Sequence, residues 1–142
     1  MLIQPKRENV PKAPALLKIL IVDDHLPVTK ALARLMKNAG YDPIPFNGAA
    51  EALTWIETSK PDAAVLDIHL PDMNGLLLAQ KMRQRLGNEI PIIVVSGDTS
   101  METLNSLPHV GATYFFSKPL SSASLIEQLR KLLGEQHARE AG

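Results

Sequence analysis

Residues 63–75 read AAVLDIHLPDMNG. Four apolar residues, Ala63 to Leu66, lead to a single acid, Asp67, and the chain then breaks into a loop carrying Pro71, Asp72, Asn74 and Gly75. An apolar run of this length, entered through the turn residues Lys60-Pro61-Asp62, reads as a strand buried on both faces. Asp67 therefore stands at the carboxyl end of a strand. In an open α/β sheet, ligands bind in the crevice outside those ends. Aspartate is also a common turn former, so Asp67 alone fits a loop-capping acid as well as a chemical group. The ends of the other strands decide between the two.

Upstream, KILIV at 18–22 is a first buried strand, and it ends in Asp23-Asp24. A helix over 26–39 follows. Pro27 suits its first turn, and Val28, Ala31, Leu32, Leu35, Met36 and Ala39 recur at helical spacing. Gly40 stops it. Residues 41–46, YDPIPF, form a short second strand. Pro43 and Pro45 lack N–H groups on the same side, which is tolerable only at a sheet edge. Asn47-Gly48 turns the chain into a second helix over 49–59, with Ala52, Leu53 and Ile56 inward and Trp55 at its margin.

Downstream, a third helix runs over 75–86 and ends at Gly87-Asn88. PIIVV at 91–95 is a fourth apolar strand, ending in Ser96-Gly97-Asp98. A helix over 99–107, weakened by Ser, Thr and Asn, is cut short by Pro108. Gly111 leads to a fifth strand over 112–117, which ends in Lys118-Pro119. Ser121 caps a last helix that presents Leu125, Leu129, Leu132 and Leu133 on one face, and Gly134 closes it. The expected domain spans 17–134, between a proline-bearing tail at 1–16 and a polar tail at 135–142.

Composition narrows the function classes. A chain of 142 residues suits one core. Lys plus Arg and Asp plus Glu number 15 each, so net charge offers no argument for nucleic acid or an anionic membrane. There is no Cys, hence no disulfide framework, thiolate metal site or Cys nucleophile. No apolar run approaches the ~18–20 residues of a membrane span. The apolar run at 13–22 follows Lys6-Arg7 like a signal peptide, but Lys18 interrupts it and Asp23-Asp24 stands where a cleavage site should be.

Strands that alternate with helices imply a parallel sheet covered on both faces. Right-handed crossovers and an edge position for the proline-bearing strand select the doubly wound order 2-1-3-4-5. The expected fold is α/β, flavodoxin-like, with five parallel strands. In that order the first and third strands are neighbours, so Asp23, Asp24 and Asp67 converge. Three clustered carboxylates need a cation or a shared proton at neutral pH. Oxygen ligands alone suit a hard, mostly hydrated ion, Mg²⁺ above all. Lys118 brings an ammonium and Ser96 a hydroxyl to the same rim, and Gly97 leaves room for close approach of the backbone. Such a set stabilises an oxyanion such as a phosphoryl group, which a carboxylate can itself accept.

These residues resemble the response-regulator receiver domain of two-component signalling. The resemblance covers 18–134 and rests on Asp23-Asp24, on Asp67 with Leu70-Pro71 and Met73-Asn74-Gly75, on Ser96-Gly97, and on Gly111-Ala112 leading to Lys118-Pro119. It implies that Asp67 is a phosphoacceptor served by a histidine kinase or a histidine phosphotransfer protein. It also implies Mg²⁺ on Asp24, Asp67 and the His69 carbonyl, with Asp23 acting through water. Lys118 would pair with the phosphoryl group and Ser96 would hydrogen-bond it. Phe115, three residues before Lys118, matches the aromatic switch position. The Lys118-Pro119 bond is expected to be cis. A downstream protein target is expected on the face of the fourth helix, fifth strand and fifth helix, with no nucleic acid and no membrane as partner, in the cytoplasm. The chain would catalyse only its own phosphorylation and dephosphorylation.

The sequence departs from the family pattern in three places. Ser96 replaces the commoner Thr, Phe115 cannot donate a hydrogen bond where Tyr is frequent, and Pro108 falls in the last turn of the fourth helix. Two other readings stand beside this one. A haloacid-dehalogenase-like phosphatase also uses an Asp nucleophile, but carries its acids as D-x-D after the first strand. A receiver-like interaction module that is never phosphorylated is the other. His25, His109 and His137 read as loop or surface residues, Tyr114 as a packing or edge residue, and Arg83 and Arg85 as a solvated helix face. The His69 side chain, two residues after Asp67, could shield a phosphoryl group from water. Whether the receiver stands alone or belongs to a longer chain is open.

Overall fold

The computed structural model describes the backbone of residues 15–141 and the side chains of residues 15–134. The run KILIV forms β1 (Lys18–Val22), in which Ile19, Leu20, Ile21 and Val22 have no exposed surface. Burial of successive residues requires cover on both faces of the sheet. β3 (Ala63–Asp67) and β4 (Ile92–Ser96) are buried along their whole length in the same way. β2 (Asp42–Phe46) and β5 (Tyr114–Ser117) are the edges of the five-stranded parallel sheet, whose order is β2-β1-β3-β4-β5. The expected fold and strand order are therefore observed.

The edge position of β2 follows from its prolines. The Asp42 N–H donates to the Leu17 carbonyl at 2.8 Å. With the strand period of two, Pro43 and Pro45 turn their missing donors away from β1.

The helices are α1 (Leu26–Asn38), α2 (Ala49–Ile56), α3 (Gly75–Leu86), α4 (Met101–Ser106) and α5 (Ser122–Ala141). On one face of the sheet, Ile19, Ile21, Val65, Ile93 and Val95 pack with Leu32 and Met36 of α1 and with Leu125 and Leu129 of α5. On the other, Leu20, Val22, Leu66 and Val94 pack with Ile56 of α2 and with Leu78 and Met82 of α3. Phe115 joins the second core and Phe116 the first. Trp55 is half-buried, its ring tilted against Phe46 at 6.3 Å between centroids.

Several boundaries differ from the expectation for local reasons. α1 turns Thr29, Leu32 and Met36 inward, leaving Ala31 and Leu35 exposed. The Thr29 hydroxyl donates toward the Asp23 and His25 carbonyls, both at 3.1 Å, and this sets the rotation of the helix. α4 is shorter than 99–107 because Ser100 caps it, accepting the Thr103 N–H. Pro108 opens a separate 3-10 turn, Pro108–Val110. Gly111 follows at φ 79°, a conformation glycine adopts freely, so β5 starts only at Tyr114. α2 ends at Ile56, before residue 59.

Gly134 does not close α5, and the segment expected as a polar tail continues the helix to Ala141. A mid-helix glycine costs only about 1 kcal/mol relative to alanine, and Glu, Gln, Arg and Ala beyond it are good helix formers. The N-terminal tail expectation lies outside the described residues for 1–14, and the side chain of His137 is outside them as well.

Candidate phosphoryl-acceptor site

The register of β1 on β3 aligns Val22 with Leu66, so the residues that follow each strand share one rim of the sheet. Asp23, Asp24 and Asp67 come together there, with one carboxylate oxygen from each within 4.8 Å of the others. Asp23 and Asp67 are buried and Asp24 is exposed, so the cluster opens to solvent through Asp24. The donors are all carboxylate oxygens, with no His or Cys, which is the chemistry of a hard cation such as Mg²⁺.

β5 delivers Lys118 to the same place. Its backbone N–H donates to the Ser96 carbonyl at 2.9 Å, continuing the β4–β5 ladder by one residue. Its Nζ lies 2.8 Å from Asp67 Oδ2 and 3.8 Å from Asp23 Oδ2. The Lys118-Pro119 bond is cis, as expected. Partial burial would lower the pKa of Lys118, but the bond to Asp67 and the charges of Asp23, Asp67 and Asp24 outweigh it and raise the value. Burial pushes the Asp23 carboxyl up, against the lowering effects of the His25 N–H and Lys118. Two backbone donors orient the buried acids: the His25 N–H to Asp23 Oδ1 at 2.9 Å and the His69 N–H to Asp67 Oδ1 at 3.1 Å.

Ser96 ends β4 with no exposed surface, and its Oγ accepts the Asp98 N–H at 2.9 Å. Ser96 pairs with Ser117 and Val94 with Phe115, so Phe115 sits one pleat below Ser96 on the same face of the sheet. Phe115 is half-buried against the α2–α3 core. Beside the acids, a cavity of about 370 Å³ opens between α1 and the β5–α5 loop, walled by Val28, Leu32, Val65, Val95 and Leu120.

The loop after β3 is held tightly. Gly75 starts α3 with its N–H on the Ile68 carbonyl at 2.7 Å, and a Cβ at this position would overlap the Asp67 carbonyl oxygen. Asn74 caps α3 by accepting the Leu76 N–H at 2.8 Å.

Three polar residues around the site were not singled out from sequence. Asp72 reaches across to the start of α2 and accepts the Ala49 and Ala50 N–H groups at 2.9 and 2.8 Å. Thr29 braces the loop that carries Asp23. Asp98 accepts from Ser100 and Thr103 at the start of α4. A small polar residue on an otherwise apolar helix face marks Thr29 in hindsight, but the partners of Asp72 and Asp98 depend on the folded loops.

The reading of Arg83 as part of a solvated face is corrected. Its guanidinium is half-buried and donates to the carbonyls of Gly111, Ile90 and Gly87. It ties the end of α3 to the turns before β4 and β5, away from the acids. Arg85 is exposed, yet donates to the Glu57 carbonyl at 2.7 Å. His25, His69, His109 and Tyr114 are exposed, and the ring of Tyr114 packs at 4.9 Å from that of Phe116.

Known proteins resemble this chain in sequence and fold. Residues 19–130 match the family described as the response regulator receiver domain. The chain is 36% identical over 117 residues to the regulatory protein VanR of Enterococcus faecium, covering 82% of this chain and 49% of that protein. It is 31% identical over 119 residues to the sensory/regulatory protein RpfC of Xanthomonas campestris, covering 82% of this chain and 16% of that one. The chain thus spans half or less of these curated relatives. Among solved structures, a CheY-like receiver domain protein from Methanospirillum hungatei superposes with a TM-score of 0.82 at 31% identity, covering 88% of this chain and 99% of that one. The chain belongs to the response regulator receiver domain family of two-component signalling.

Proposed function

We propose that this chain accepts a phosphoryl group on Asp67, with Mg²⁺ bound beside it, and responds by altering a protein-binding face. The observation that carries this reading is the Lys118 ammonium, 2.8 Å from Asp67 Oδ2 inside a three-acid cluster. A fixed positive charge there meets the negative charge that an incoming phosphoryl group brings.

In the transfer, an oxygen of the Asp67 carboxylate bonds to phosphorus as the P–N bond of a donor phosphohistidine breaks. The imidazole leaves with the electron pair and takes up a proton. The donor is a histidine kinase or a histidine phosphotransfer protein. Asp24, Asp67 and the His69 carbonyl would hold Mg²⁺, with Asp23 acting through water. When bound, the ion supplies charge that offsets the phosphoryl oxygens. Lys118 pairs with the bound group and the Ser96 hydroxyl donates to it. The response passes through Ser96 and Phe115 to the face of α4, β5 and α5. Met101 and Tyr114, 68% and 42% exposed, are apolar residues available there for a partner.

The test is incubation with acetyl phosphate and Mg²⁺ followed by mass spectrometry. Wild type is expected to gain one phosphoryl group and Asp67→Asn none. A stable phosphoryl gain in Asp67→Asn would refute the assignment.

A further inference from the structure

The Ser96 hydroxyl does not sit alone at the rim. The Asp98 N–H that it accepts belongs to a residue whose carboxylate is also engaged. Asp98 Oδ1 accepts the Ser100 N–H at 2.9 Å and Oδ2 accepts the Thr103 hydroxyl at 2.8 Å. Ser100 Oγ donates to Thr103 Oγ1 at 3.2 Å and accepts the Thr103 N–H at 3.3 Å. Ser106 Oγ then donates to the Thr103 carbonyl at 2.6 Å. Hydrogen bonds run without a gap from Ser96 to the last residue of α4. Thr103 is largely buried, and its hydroxyl takes Asp98 as its acceptor.

A helix of six residues is too short to hold itself. The order of α4 comes from this network, and Asp98 is the member that joins it to Ser96. We propose that Asp98 is a positioning residue that couples the Ser96 hydroxyl to α4, so that α4 shifts as a body when Ser96 is drawn toward a phosphoryl group. This rests on the reading of Asp67 as the phosphoacceptor. It differs from a switch in which α4 melts: if Asp98 travels with the Ser96 hydroxyl, Ser100 and Thr103 travel with Asp98 and the first turn stays intact.

The test uses the full chain as wild type, Asp98→Ala, Asp98→Asn and Thr103→Val. Each is first exposed to acetyl phosphate and Mg²⁺ and weighed. Hydrogen exchange is then measured with and without beryllofluoride, a phosphoryl mimic. All four proteins are expected to gain one phosphoryl group. In Asp98→Ala, the Ser100 and Thr103 amides exchange about tenfold faster, the size of one lost charge-assisted hydrogen bond. Beryllofluoride then alters exchange near Ser96 but no longer along 101–106. Asp98→Asn keeps an acceptor for the Ser100 N–H and regains part of the response.

Thr103→Val removes the hydroxyl that donates to Asp98 and accepts from Ser100, at nearly constant volume. It weakens the α4 response and keeps the test open if Asp98→Ala fails to fold. A full wild-type response in both Asp98→Ala and Thr103→Val overturns the proposal, as does loss of protection in α4 of wild type on adding beryllofluoride. Failure of wild type to gain a phosphoryl group overturns the Asp67 reading itself and this inference with it. Phosphorylation with an unaltered α4 response in the variants overturns the coupling alone.

Discussion

Replacing Gly75 with alanine tests whether the backbone beneath Asp67 is as constrained as its geometry shows. The residue opens α3 directly against the end of β3. An added Cβ would overlap the Asp67 carbonyl oxygen and lie 2.8 Å from both the Asp67 carbonyl carbon and Ile68 Cα. All three are backbone atoms, so no side chain can swing aside. Alanine gains about 1 kcal/mol over glycine in helix propensity. Overpacking costs about 1–3 kcal/mol where side chains can adjust, and the upper end or more applies where only backbone can. The balance is a loss of roughly 2 kcal/mol or more. Against a total stability of about 5–15 kcal/mol the variant still folds. The shifted backbone carries Asp67, so its carboxylate moves relative to Lys118 Nζ. Gly75→Ala is therefore expected to show a lower urea midpoint at unchanged slope. At equal folded fraction it should take a phosphoryl group from acetyl phosphate more slowly than wild type. Gly134→Ala is the control of opposite sign. A Cβ there meets nothing within 4 Å among the described residues, and the helix gains about 1 kcal/mol. A Gly75→Ala midpoint equal to or above wild type would show that the β3–α3 junction yields freely, and would refute the reasoning.

Other substitutions probe separate parts of the molecule. Arg83→Ala leaves the Gly111 and Ile90 carbonyls without their donor and is expected to cost roughly 2 kcal/mol in urea unfolding; a change too small to measure would mean water replaces the guanidinium. Asp24→Ala should weaken Mg²⁺ binding in a calorimetric titration, since few protein ligands with several retained waters already give modest affinity; equal affinity would place the metal elsewhere. The Ala50 and Ala49 N–H groups hold the Asp72 carboxyl below its ordinary value of 3.8. Its contribution to stability is thus present above pH 3.8 and is lost as pH falls through the lower folded value. The gap in urea midpoint between wild type and Asp72→Ala should be widest near neutrality and close in acid, and a gap that does not change with pH would contradict this.

The strands, their order and the acids at their ends were legible because each signal is local. Four strands, β1, β3, β4 and β5, carry polar residues at their carboxyl ends, and these need only the parallel topology to bring Asp23, Asp24, Asp67, Ser96 and Lys118 to one rim. Asp72 and Arg83 are not legible in the same way because they act at long range, whereas the bonds of Thr29 and Asp98 are local but depend on the folded loops. Asp72 meets Ala49 across 23 positions and Arg83 meets Gly111 across 28. Neither spacing has a period, and an arginine on a helix reads as solvated until the fold places carbonyls around it. Gly134 misled for the opposite reason. Glycine is a common helix stop, yet α5 continues through it with residues that favour helix.

The missed residues share a role that explains why the site needs more than its acids. Thr29 holds the loop that carries Asp23 and Asp24. Asp72 anchors the loop that follows Asp67 to the start of α2. Asp98 joins the loop after Ser96 to α4. Each rim loop is thus tied by one small polar side chain to the start of a helix. A carboxylate cluster works only if its members keep sub-ångström positions against their mutual repulsion, which demands such support. The ties differ in what lies behind them. Thr29 and Asp72 fasten to α1 and α2, which run for 13 and 8 residues, while Asp98 fastens to α4, which runs for 6. If Asp67 takes a phosphoryl group as proposed, movement there would meet the longer helices on the β1 and β3 sides and the shortest on the β4 side. On the proposed reading, that asymmetry would direct a change in charge at Asp67 toward α4 and the exposed Met101 and Tyr114.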